Sequence, residues 1–161
     1  NAVKPAVANL SLGGATSTML DNAIVKSVNA GVVYAIAAGN STTDACNTSP
    51  ARVGKTLAGA ITVAATDSAD GEASFSNYGS CVDTWAPGVG VLSTYLSGGV
   101  ATASGTSMAS PHAAGGAALY LSRYRTASPS AVEAAIKGSA VVPGTVSKGG
   151  QPITRLDVLP F

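Results

Sequence analysis

The sequence predicts an α/β fold in which a mostly parallel sheet is covered by helices. Three observations predict it. Short, nearly continuous apolar runs end in glycine, as strands buried on both faces do. Segments with helical periodicity alternate with these runs, and strand–helix–strand order implies parallel pairing through a right-handed crossover. The chain also carries 19 glycines and 46% hydrophobic residues against 11% charged ones. That balance suits a packed globular core better than a disordered or coiled-coil chain.

The first strand is "AVANLSL", residues 6–12, halted at Gly13-Gly14. A helix follows from about Ser17 to Asn29. Leu20, Ala23, Ile24 and Val28 fall on one face, Asp21 sits early, and Gly31 ends it. "GVVYAIAAGN" (31–40) is the second strand, stopped by Gly39-Asn40. Residues 41–56 have loop composition. "AITVAA" (60–65) is the third strand, "ASFSNYG" (73–79) a short excursion, and "CVDTWAPG" (81–88) a fourth strand stopped at Pro87. "VGVLSTYL" and "GVATAS" predict a short strand pair. The next helix runs from Thr106 or Ser107 to about Tyr124. Its Ala109, Ala113, Ala114, Gly115 and Gly116 let other elements pack closely, which places it centrally. The last helix opens at Ser128-Pro129, serine at the cap and proline in the first turn, and ends near Gly138. The 161 residues amount to one domain's worth of chain, with no repeat and no linker.

Charge and hydropathy exclude several functions. Nine Lys and Arg face eight Asp and Glu, and no basic run appears, so nucleic acid is not an expected partner. The apolar stretches are interrupted well short of the ~20 residues of a membrane span. The opening "NAVKPAVANL" reads as mature sequence without a signal peptide. Cys46 and Cys81 lie in polar, turn-rich contexts that favour a disulfide and an oxidising compartment over two unrelated thiols. If formed, that bond would stabilise by roughly 3–4 kcal/mol.

Chemistry concentrates in "SGTSMASPHAAGG", residues 104–116. Ser107 stands where a turn enters a helix, near unpaired amides and the positive end of the dipole. Small neighbours, Gly105 and Ala109, leave room for a substrate carbonyl. The plain alternative is a helix cap. His112, the only histidine, is not placed to be its base. Five residues at ~100° each set the two ~140° apart on the helix, whereas cooperating pairs are three or four apart. His112 is therefore expected to pack or hydrogen-bond within the helix.

"SGTSMASPHAAGGAALYL" resembles the nucleophile segment of subtilisin-like serine proteases. "VANLSLGG", "GVVYAIAAGN" and "SFSNYGSCVDTWAPG" resemble that family's substrate-binding strand, oxyanion-asparagine strand and following strand, in the same order. "ACNTSPARV" and "NYGSCVD" point to the proteinase K branch, with secreted enzymes such as aqualysin. The likeness implies a three-layer subtilisin-like fold and a secreted, extracellular endopeptidase that cleaves polypeptides through an acyl-serine intermediate.

By this resemblance Ser107 is the nucleophile. Asn40, otherwise a turn asparagine after Gly39, donates to the oxyanion together with the Ser107 backbone N–H. Ser11, Leu12 and Gly13 form a strand edge that pairs with substrate backbone and one wall of the specificity pocket; Ala38 and Gly39 form the other. No acid stands in either wall, so a roomy pocket for large apolar or aromatic residues is expected. Asp83, otherwise an ordinary strand carboxylate, is implied as a structural calcium ligand with carbonyls of the preceding loop. Cys46 and Cys81 are implied as a disulfide, and no cofactor is needed for catalysis.

The family's chain order is Asp, His, Ser, and neither the "HGTHVAG"-like string nor the aspartate string occurs here. The expectation is that residues 1–161 form the C-terminal portion of one catalytic domain, with Asp and His on an N-terminal portion absent from this chain. Alone, the chain would be inert or would bind peptide without turnover. An α/β-hydrolase, faintly echoed in Gly105-Thr106-Ser107-Met108-Ala109, requires Asp and then His after the serine, and only His112 follows.

Overall fold

The computed structural model describes residues 3–161. Four strands lie side by side in chain order, all parallel: β1 (Ala6–Leu10), β2 (Val32–Ala37), β3 (Ala60–Thr66) and β4 (Thr84–Pro87). Helix α1 (Thr18–Asn29) makes the crossover from β1 to β2. Its cap is Ser17, whose hydroxyl accepts from the Leu20 N–H at 3.4 Å. The antiparallel pair β5 (Val91–Thr94) and β6 (Val100–Ala103) leads into α2 (Thr106–Arg123), and α3 (Pro129–Ser139) follows, capped by Ser128.

Alternation along the strands builds a core on each face of the sheet. Val33 and Ala35 of β2, with Ile61, Val63 and Ala65 of β3, pack against Ala109, Ala113 and Ala117 of α2 and Val132 and Ile136 of α3. Ile36 and Ala60 point the other way, onto Ile24 and Val28 of α1. All seven residues of β3 are buried, Thr62 and Thr66 among them, as expected of a strand covered on both faces. Ala109, Ala113 and Ala117 have no exposed surface; their small side chains let the helix lie close across all four strands. Helices on both faces of a parallel sheet give the three-layer α/β architecture.

The first, second and fourth strands are shorter than the sequence suggests. Pairing of β1 stops at Leu10↔Ile36, so Ser11, Leu12 and Gly13 leave the sheet before Gly14 bridges to Ser49. Residues 81–83 likewise precede the fourth strand rather than belong to it. The loop after β2 holds two short 3₁₀ turns, Ala45–Asn47 and Ala51–Lys55. The sheet edges differ. The Trp85 amide of β4 donates to the Thr154 carbonyl and its carbonyl accepts from Leu156 N–H, so residues 154–156 cover that edge. Among the described residues β1 has a strand neighbour on one side only.

Candidate active site

The helix α2 begins at the mouth of a cleft of about 540 Å³ lined by Ser11, Gly13, Gly39, Asn40, Thr106 and Ser107, among others. Of the amides in the first turn, most are engaged. Thr106 N–H donates to the Asn40 side-chain oxygen at 2.8 Å, and the Met108 and Ala109 amides turn back to the Gly105 carbonyl. The Ser107 N–H has no partner among the described residues. An unpaired amide there, at the positive end of an 18-residue helix, is a donor for negative charge.

Asn40 supplies a second donor. Its Oδ1 accepts from both the amide and the hydroxyl of Thr106, at 2.8 and 2.9 Å. That fixes the carboxamide with Nδ2 free. Thr106, fully buried, also accepts from Gly39 N–H at 3.1 Å, tying the end of β2 to the start of α2. The two donors converge beside Gly105. A methyl group built there would lie 3.4 Å from Asn40 Nδ2 and 3.7 Å from the Ser107 nitrogen. Any side chain at 105 would fill the space between them, which explains the glycine.

The Ser107 hydroxyl is partly exposed and points toward the Ser11 carbonyl at 3.4 Å. Pro111, inside the helix, has no N–H for the Ser107 carbonyl four residues before it. The Ser11 hydroxyl donates to that carbonyl instead, at 2.7 Å. Ser11 is thereby fastened to the serine it faces across the cleft. His112 is exposed, and its Nδ1 lies 2.8 Å from the Met108 carbonyl one turn back. It bonds within its own helix, as the spacing predicts.

Residues 2–155 match the profile of the Subtilase family. The chain belongs to that family. It is 54% identical over 140 residues to "Alkaline serine exoprotease A" of Vibrio alginolyticus, a match covering 87% of this chain and 26% of that protein. It is 52% identical over 153 residues to "Extracellular serine proteinase" of Thermus sp. (strain Rt41A), covering 94% of this chain and 36% of that one. The fold superposes on the crystal structure of a cold adapted subtilisin-like serine proteinase with a TM-score of 0.92 at 47% identity, over 99% of this chain and 57% of the other. The chain thus spans only part of the length of the subtilases it matches.

The remaining sequence-predicted residues fall in three places. Leu12 and Gly13 line one side of the cleft with Ser11, and Gly39 the other. Ala38 does not: it is fully buried against Ala45, Ala64 and Trp85, and its neighbour Ala37 faces the cleft instead. Cys46 and Cys81 are bonded, Cα atoms 5.3 Å apart.

Asp83 does not fit a calcium ion. Its Oδ1 accepts from Lys137 Nζ at 2.8 Å and its Oδ2 from Thr62 N–H at 2.8 Å, so an ammonium already supplies the positive charge. Among the described residues no group of three His, Cys, Asp or Glu side chains could hold a metal. Burial pushes the Asp83 carboxyl up to about 6, against the pull of Lys137 and Thr62. Burial also works against the Lys137 charge, but Asp83 and Glu133 prevail and hold its pKa above the ordinary lysine value.

Thr106 carries a role that no local pattern announces, because its partner Asn40 lies 66 residues away in the chain.

Proposed function

We propose that this chain is the nucleophile-bearing part of a secreted serine endopeptidase that hydrolyses polypeptides through an acyl-serine intermediate. The observation that carries the proposal is that two free donors, Asn40 Nδ2 and the N–H of Ser107 itself, lie within 3.4 and 3.7 Å of one point beside Gly105. That is the arrangement needed to receive the oxyanion of a tetrahedral intermediate. Ser107 attacks the scissile carbonyl, its proton passes to a base, and the carbonyl oxygen gathers charge between the two donors. Ser11 to Gly13, released from sheet pairing, offer backbone groups to an extended substrate. The cleft walls carry no acid, in keeping with apolar or aromatic preference at the residue before the cut. The disulfide and the extracellular relative support secretion.

The base is not His112. It is supplied, with its aspartate, by a segment preceding this one in the polypeptide. Reaction with a fluorophosphonate tests this. Ser107 is expected to label when the Asp- and His-bearing segment is present and to stay unlabelled in these 161 residues alone. Comparable labelling of the isolated chain would refute the assignment of the base.

A further inference from the structure

We propose that Asn77 is a positioning residue for the oxyanion site, setting the backbone from which Asn40 projects. The inference rests on the reading of Asn40 as an oxyanion donor. Thr106 fixes the far end of the Asn40 side chain and, through Gly39 N–H, the main chain before it, but it does not hold the main chain on both flanks. Asn77 does, from both sides. Its Nδ2 donates to the Ala38 carbonyl at 2.8 Å, two residues before Asn40. Its Oδ1 accepts from the amides of Ser41 and Thr43, at 3.0 and 3.1 Å, just after it. Its own amide donates to the Gly39 carbonyl at 2.9 Å. One side chain, with no exposed surface, therefore brackets residue 40 while leaving residue 40 itself untouched.

The fit is close. Gly39 has φ +106, and a Cβ there would sit 2.3 Å from Asn77 Nδ2, so the glycine admits the amide as well as the turn. Asn77 is in turn fastened to the sheet, since Ser76 Oγ donates to the Asn77 carbonyl at 2.9 Å and accepts from Ala65 N–H of β3 at 3.0 Å. The bracket thus passes the rigidity of the central strand to a loop. A preorganised donor is worth more than a mobile one because it need not reorient as charge develops. An amide is required: it alone offers a donor and a two-fold acceptor in one small plane.

The test uses the complete protease, with turnover of a chromogenic peptide anilide normalised to fluorophosphonate-titrated serine. N77D keeps the acceptor but sets an oxygen against the Ala38 carbonyl; N77S is smaller and neutral. Each is expected to lower kcat per titrated site about tenfold or more with KM little changed. In an N40A background the further loss should shrink to about twofold or less, because no donor is left to position. A role in stability alone would lower the melting temperature and the titratable fraction but leave kcat per site within about twofold of wild type, and that result overturns the proposal. So does an undiminished loss in the N40A background, or the absence of titratable enzyme in both variants. If N40A alone turns over like wild type, the oxyanion reading itself is what has failed.

Discussion

At Asn40 the two ends of one carboxamide have separate tasks. Oδ1 is spent on Thr106, with both its amide and its hydroxyl, and only because of that is Nδ2 left facing the cleft. Replacement by alanine removes the donor and also leaves the buried Thr106 hydroxyl short of an acceptor. Loss of one oxyanion donor in another member of this family lowers kcat by ~10²–10³. The same order is expected for N40A, with KM nearly unchanged, measured by steady-state turnover in the complete enzyme. A fall in affinity with kcat preserved would show that Asn40 binds substrate rather than transition state. Ser107 and Asn40 were legible in the sequence because each sits in a distinctive string at an element boundary. Ala38 was misplaced by one residue. Strand alternation sends it into the core beside Trp85 and leaves the cleft to Ala37, and a string does not display which face is inward.

Between elements, α3 is docked on β2 and β3 through packing and is tied by charge to the segment ahead of β4. Lys137 of α3 bridges Asp83, ahead of β4, and Glu133 one turn back on its own helix, whose other oxygen accepts from Gly59 N–H at 2.5 Å. Removing a buried carboxylate from water makes its charged form expensive. The folded pKa of Asp83, about 6, lies above its ordinary 3.8, so this group favours the folded state most below pH 3.8. Its contribution fades as pH rises to about 6, by on the order of 3 kcal/mol. D83N is therefore expected to flatten the dependence of unfolding free energy on pH between about 4 and 6, followed by denaturant titration. An unchanged slope would place the carboxyl in contact with solvent. The sequence suggested a metal here because it showed one acid at a family position; it could not show a lysine 54 residues later arriving at the same oxygen.

At the scale of the whole molecule, one face of α2 and one edge of the sheet lie open among the described residues. The buried face of α2 is matched by an outer face on which Pro111, His112, Gly115, Ala118 and Leu119 are exposed. Beside it, β1 leaves one edge without a strand neighbour among the described residues. Small residues on an exposed helix face and a bare parallel edge invite a covering layer, and without it they favour self-association. The isolated 161 residues are expected to bind an apolar dye and to melt broadly in calorimetry. Cooperative melting should appear when the proposed Asp- and His-bearing segment is supplied. A sharp transition in the isolated chain would mean that its own two cores suffice.

What the sequence determined by itself is local: where apolar runs make buried strands, where serine caps α1 and α3, and that a serine stands at the head of an alanine-lined helix. Those features depend on residues a few positions apart, so periodicity and capping chemistry reveal them. Tertiary structure alone decided which residues hold the Asn40 side chain and the loop it stands on, and which cation answers Asp83. These depend on atoms brought within 3 Å across 39 to 66 residues of chain, and no spacing within a motif records a contact made only by folding.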